Sequence, residues 1–240
     1  MVMSTLRENL NTLLQTQQVD SERDKLARLR AKLDNGEKLT QEVAAAQAEA
    51  NKRRAELSQT SGSLRDAELE LAALEKKISD YETKMRAGAV TNTREVMNFE
   101  KEFNQLNRQR SALDDKILTL MDSYETKSAT TDSAEQKVSD LSRDLATLKA
   151  AFHNELTKIE TQLGRLNANR AELTKLVTDP SLAKRYETLR ARPGNGGIAI
   201  AHTNENTCGS CHMQIGTIAV SAASSGDQLV ICENCGRIMA

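Results

Sequence analysis

From about residue 5 to 86 the chain contains no proline, and its apolar positions recur in alternating steps of four and three. Val43, Ala46, Ala50, Leu57, Leu64, Ala67, Leu71, Leu74, Ile78, Tyr81 and Met85 keep this rhythm, and Arg53 and Thr60 interrupt it. Such spacing puts one stripe of apolar side chains along a helix and predicts a coiled-coil seam. Upstream, Val19, Leu26, Leu29 and Leu33 follow the same rule in a shifted phase. The shift falls at Asp34-Asn35-Gly36, residues that favour a turn, so a kink or break is expected at about 34–36.

A second segment, from about 93 to 178, repeats the pattern through Phe99, Phe103, Leu106, Leu113, Ile117, Leu120 and Tyr124. It continues through Ala134, Val138, Leu141, Leu145, Leu148, Phe152, Leu156, Ile159, Leu163, Leu166, Leu173 and Val177. The two successive steps of four from Leu148 to Phe152 to Leu156 read as a stutter that locally unwinds a supercoil. Arg110, Lys127 and Thr131 are weak seam residues and predict a thinner contact midway. Gly88 suits the end of the first helix; Asn92, with Glu95 three residues on, suits the start of the second. Each arm is a little over 80 residues, roughly 120 Å at about 1.5 Å per residue. Equal arms joined by a short turn at about 87–93 predict an antiparallel hairpin that buries its own seam, in preference to a parallel dimer.

Residues 1–178 are therefore expected to form the hairpin and 179–196 a short helix and linker, with Asp179 as cap and Pro180 in the first turn. Arg192-Pro193-Gly194-Asn195-Gly196-Gly197 lacks the lysine and following helix of a phosphate-binding loop and reads as linker. Residues 197–240 change character. Ile198–Ala201, Ile215–Val220 and Leu229–Ile231 look like short strands.

Composition narrows the class. Aromatic residues make up 2% of the chain, tryptophan is absent and 28% of residues are charged, which suits a coiled coil better than a thick globular core. With 33 basic and 34 acidic side chains, the total charge points to no nucleic acid, anionic membrane or acidic substrate. No apolar run approaches the about 20 residues needed to cross a bilayer, and no export signal is recognisable, so a cytoplasmic location is expected.

In that reducing setting the four cysteines predict a metal site. Cys208 and Cys211 form one C-x2-C pair and Cys232 and Cys235 another, twenty residues apart, which is close to ribbon spacing for one Zn2+ per chain. Gly209 and Gly236 sit where knuckles turn sharply, and His212 and Arg237 flank the ligands as surface or outer-sphere residues. A ribbon without aromatic residues is expected to draw much of its folding free energy, on the order of 10 kcal/mol, from the metal. Cys208–His212 also spells the C-x-x-C-H haem-attachment motif, but neither export nor an apolar cleft accompanies it. Four-thiolate iron fits the ligands equally well, although such redox sites usually shelter the metal with aromatics. A redox dithiol suits either pair alone but not two pairs at this spacing. His153 and His202 have no catalytic companions, and no nucleophile motif is present, so an enzyme is not expected.

Cys208–Met213, Gly226–Val230, Cys232–Ile238, Lys184–Arg190 and Thr93–Glu100 together resemble a bacterial family of C4-type zinc-ribbon proteins with an N-terminal coiled-coil hairpin. The resemblance implies a mainly α-helical adaptor or chaperone-like protein. Relatives are associated with flagellar or type III secretion machinery, with sigma-54 and, in one case, with messenger RNA. Two function classes remain from the residues themselves. One is a protein-binding adaptor, monomeric or dimeric; the other is a nucleic-acid-binding ribbon. From 203 to 240 the only basic residue is Arg237, against Glu205, Asp227 and Glu233, which disfavours the second. Lys184, Arg185, Arg190 and Arg192, in the connector, offer a basic set for a partner or a phosphate backbone.

Overall fold

The computed structural model describes residues 5–87, 92–226 and 228–240. The protein is mainly α-helical, with a long helical hairpin followed by a small β region. Helices α1 (Leu6–Lys32), α2 (Glu37–Arg86), α3 (Thr93–Leu176) and α4 (Pro180–Ala191) come first. Strands β1 (Ile200–Ala201), β2 (Thr203–Asn204) and β3 (Thr207–Cys208), helix α5 (Thr217–Ser225), and strands β4 (Val230–Ile231) and β5 (Ile238–Met239) follow. The chain divides into two compact units, Gly36–Lys149 and the remainder.

Within Gly36–Lys149, α2 and the first part of α3 run antiparallel. Tyr81 stacks on Phe99 with ring centroids 4.8 Å apart, and the Tyr81 hydroxyl donates to Glu102 at 2.5 Å. Further along, Arg110 pairs with Glu75 at 3.5 Å, Lys127 Nζ donates to Thr60 Oγ1 at 2.7 Å, and Arg54 pairs with Glu135. Numbers rise on one helix as they fall on the other, so the seam is closed within one chain. Ala50, Ala67, Leu74 and Ile78 are buried in it. The interruptions predicted at Thr60 and Lys127 meet each other, and Arg53 reaches the Thr130 carbonyl at 3.3 Å. The weak seam positions Arg53, Thr60, Lys127 and Thr131 thus form one polar layer, in which Thr131 is buried, while Arg110 lies apart from it, exposed beside Glu75. Within this unit two expected seam residues are exposed: Met85, at the end of α2, and Tyr124, beside the polar layer.

Between α1 and α2 the chain leaves the helical path from Leu33 to Gly36. Leu33 is extended, Gly36 has φ +75°, and a β-carbon there would lie 3.1 Å from Leu145 Cδ1. A left-handed backbone pressed against packed leucines leaves glycine as the natural occupant. Asn92 caps α3 by accepting from the Arg94 N–H at 3.1 Å, whereas the expected role of Gly88 falls outside the described residues.

In the other unit, α1 opens with a capping box between Thr5 and Glu8. Asp179 accepts from the N–H groups of Ser181 and Leu182, at 2.8 and 3.2 Å, to start α4. Leu29, placed in the seam by its spacing, is half exposed, and α1 instead turns Leu10 and Leu13 inward. These pack with Leu182, Tyr186 and Leu189 of α4 and with Ala199, Ile200 and Ile238 of the β region. The ribbon therefore shares a core with the two helices, and Tyr186 supplies the aromatic that its own sequence lacks. Burial therefore contributes beside the metal that is expected to supply much of the ribbon's folding free energy.

Strand β5 is central in the sheet, with β1 parallel on one side and β4 antiparallel on the other. The pleat sends Ile200 and Ile238 into the helical core and Ala201 and Met239 to the opposite face, against Ala223 of α5 and the cysteines. A strand was expected over Ile215–Val220, but Thr217–Ser225 is helical. The run Ala219-Val220-Ser221-Ala222-Ala223 suits a helix, and Gly226 ends it at φ +70°.

Candidate metal centre

Two copies of one local turn build the site. In the first knuckle the His212 N–H donates to the Cys208 carbonyl at 2.8 Å and the Cys208 N–H to the Met213 carbonyl at 2.9 Å. The second repeats this, from Gly236 to Cys232 at 2.8 Å and from Cys232 to Arg237 at 2.9 Å. The sulfurs are treated alike: Cys208 accepts from the N–H groups of Ser210 and Cys211, and Cys232 from those of Asn234 and Cys235. Cys211 accepts from Met213 and Cys235 from Arg237. Amide hydrogens aimed at sulfur stabilise thiolate.

All four sulfurs lie within 4.8 Å of one another. Cys208 and Cys235 Sγ are 3.9 Å apart, and Cys211 and Cys232 Sγ 3.7 Å apart. A tetrahedron with Zn–S bonds of about 2.3 Å has edges of about 3.8 Å, whereas a disulfide needs about 2.05 Å. The geometry is that of a four-thiolate site for a single Zn2+, held by Cys208, Cys211, Cys232 and Cys235. Burial pushes the Cys208 thiol up and takes Cys232 to about 11; the Met213 N–H and then the Asn234 side chain bring Cys211 down to about 6. For Cys235, burial acts upward but the backbone and side chain of Arg237 outweigh it. Bound zinc would displace the remaining protons and close the knuckles.

The neighbouring residues divide by role. A β-carbon on Gly209 would sit 2.7 Å from the His202 carbonyl oxygen, which already accepts from the Gly209 N–H at 2.9 Å. His212 is exposed with φ +60°, a turn residue rather than a ligand. Gly236 has φ +75°, and Arg192 Nη1 approaches it. Arg237 is buried and donates to the carbonyls of Ile198 at 3.0 Å and Asn195 at 2.9 Å, tying the second knuckle to the linker.

The connector residues do not form one basic surface set. Lys184, Arg185 and Arg192 are exposed, but Arg190 is turned inward, 3.1 Å from Asp20 and 2.9 Å from Asp24. Asp20, with its side chain wholly buried, also accepts from Arg23 at 2.6 Å, Arg170 at 2.7 Å and the Tyr186 hydroxyl at 3.0 Å. Burial alone would raise the Asp20 carboxyl, but the Arg170 and Arg23 hydrogen bonds hold it below the ordinary carboxylate value. This cluster joins α1, α3 and α4 beneath the ribbon. Gln17 adds a second tie: its Oε1 accepts from the Ala199 and Ile200 N–H groups, each at 2.7 Å, and its Nε2 donates to the Ile200 carbonyl at 2.8 Å. The heptad reading passed over Asp20 and Gln17. The only local signal was a carboxylate at an inward helical position.

A helical hairpin carrying a four-cysteine ribbon defines a zinc-ribbon coiled-coil protein. Residues 16–194 match the CT398-like coiled coil hairpin domain and residues 207–239 the C4-type zinc ribbon domain. The chain belongs to the CT398-like family. No curated protein matches it in sequence. Among solved structures, CT398 from Chlamydia trachomatis is similar at 20% identity and a TM-score of 0.66, covering 98% of each chain. A Mycobacterium smegmatis protein is similar at 20% identity and a TM-score of 0.64, covering 99% of each. Both likenesses concern the fold.

Proposed function

We propose that the protein is a non-enzymatic adaptor, chaperone-like in action, which holds protein partners through the outer faces of its hairpin and through its ribbon. The observation that carries this reading is the closed ligand set. Four thiolates fill a tetrahedron, leaving no open position for substrate or water, which is the mark of a structural rather than a catalytic zinc. The hairpin spends its apolar stripe on its own seam and offers charged faces outward, a surface suited to helix pairing. Among the described residues no helix is long and apolar enough to cross a membrane.

Protein is favoured over nucleic acid because Arg190 and Arg237 are both engaged internally. Too few free cations remain near the ribbon to neutralise several phosphates. Flagellar or type III secretion components and sigma-54 are the partners to try first, in the cytoplasm of a bacterium. The test is in-cell crosslinking with mass spectrometry, followed by binding of each purified candidate to the zinc-loaded chain. Specific binding of a protein is expected. Failure to recover any protein, together with steeply salt-dependent binding of RNA that is lost when Lys184, Arg185 and Arg192 become alanine, would reverse the reading.

A further inference from the structure

The two edges of the small sheet are treated differently. At β1 the Gln17 amide occupies the backbone groups of Ala199 and Ile200, so that edge is closed by α1. On the opposite side β4 pairs only inward, Val230 with Met239 and Ile231 with Ile238. The Cys232 N–H donates to the Arg237 carbonyl at 2.9 Å, so Cys232 occupies a bonded position. Bonded positions alternate in an antiparallel pair. Ile231 is therefore the non-bonded one, and its N–H and carbonyl point away from β5 to the open edge.

An open groove of about 510 Å3 runs along this edge between β4 and α5, with Ile215, Ile218, Ala222, Leu229, Ile231 and Glu233 among its walls. Ile218 is 86% exposed and Leu229 38%, an arrangement that burial within the chain does not explain. An unpaired strand beside a helix, with apolar side chains between them, is the form in which extended peptides are taken up by strand addition. Charge selects the occupant. Glu233 marks one end of the groove, while the one basic residue of the ribbon, Arg237, has its guanidinium turned to the Ile198 and Asn195 carbonyls. Arg7 packs on Gly226 at the end of α5 and is not among the groove's walls.

We infer that this groove binds an extended segment of a partner protein, added as a strand to β4, with alternating apolar side chains against Ile215 and Ile218 and a lysine or arginine at Glu233. This rests on the adaptor reading and names the ribbon's share of it.

The test is selection of linear peptides from a displayed random library on the zinc-loaded full-length chain. Selected peptides are expected to alternate apolar residues and carry a basic residue toward one end, and to shift the amide resonances of Leu229–Glu233. Their affinity should fall about tenfold with Ile218→Glu and severalfold with Glu233→Lys, at unchanged zinc content and helicity. Ile218 is exposed, so its replacement leaves folding intact. Acidic or unrelated consensus sequences, peptides indifferent to both substitutions, or no enrichment at all would overturn the inference. So would self-association of the wild-type chain that Ile218→Glu abolishes, since the groove would then seat a second copy. A full-length partner whose binding survives both substitutions removes this inference while leaving the adaptor reading in place.

Discussion

His212 and Gly236 occupy the same position in the two cysteine knuckles, each directly after the second cysteine and each left-handed, at φ +60° and +75°. Each donates its N–H to the carbonyl of the first cysteine in its knuckle at 2.8 Å. One knuckle thus carries the residue its backbone favours, and the other carries a side chain that the same backbone resists. A left-handed residue with a β-carbon is disfavoured by about 1–2 kcal/mol. His212→Gly should stabilise the zinc-loaded protein by about 1 kcal/mol, and Gly236→Ala should destabilise it by a similar amount. Chemical denaturation of both variants checks this, and a loss of stability in His212→Gly would contradict it.

Gly209→Ala should be more harmful, although Gly209 is not left-handed. Its β-carbon would meet backbone, the His202 oxygen at 2.7 Å, and no flexible side chain is there to give way. Separating the two segments also breaks the Gly209 to His202 hydrogen bond, so a loss of about 2 kcal/mol is expected. A lowered zinc affinity in competition with a chromophoric chelator is the measurement; wild-type affinity would refute the close approach.

Elemental analysis of reduced protein should return one zinc per chain. Removing it should loosen the knuckles while the long helices persist, because the shared core around Tyr186 and Ile238 does not depend on sulfur. Far-ultraviolet circular dichroism should change little, and amide exchange over 207–213 and 231–237 should rise by orders of magnitude. Unchanged protection there in metal-free protein would deny zinc its structural role.

Asp20→Asn should destabilise the unit containing α1, α4 and the ribbon by about 2–3 kcal/mol, since the half-buried Arg170 and Arg190 guanidinium groups lose their buried counter-charge and keep only Glu187 and Asp24. The folded carboxyl lies below its ordinary value. Its contribution is therefore complete above the unfolded value of about 3.9 and is lost as pH falls from there through the folded one. Urea denaturation of wild type and variant between neutral pH and about pH 3 should show the gap closing in acid. A gap that stays constant would mean the charge is not what matters.

The polar layer in the hairpin offers the opposite change. Replacing Thr60 and Lys127 together by leucine exchanges their 2.7 Å hydrogen bond for apolar packing in the seam. A gain of about 1–3 kcal/mol is expected, with some loss of register specificity. A rise in the melting temperature checks the gain; a fall would show that the layer stabilises as well as specifies.

What could be read from the chain alone is what local spacing encodes. Burial along α2 and α3 follows the four-and-three rhythm nearly residue by residue, because a helix face is set by neighbours one turn away. The cysteine pairs were equally legible, since a knuckle is a local turn. The break at Gly36 and the cap at Asp179 belong with them. Short apolar runs are ambiguous between helix and strand, and Thr217–Ser225 was misread for that reason.

The tertiary structure alone decided which distant groups meet. Asp20 finds Tyr186, Gln17 closes one sheet edge, and Leu10 and Leu13 cover Ile238, through separations of well over a hundred residues along the chain. Nothing in the local sequence marks such partners, because a buried charge or amide is stabilised only by what the fold brings to it. Hence the metal ligands announced themselves, while the scaffold that positions the ribbon and the edge it leaves open did not.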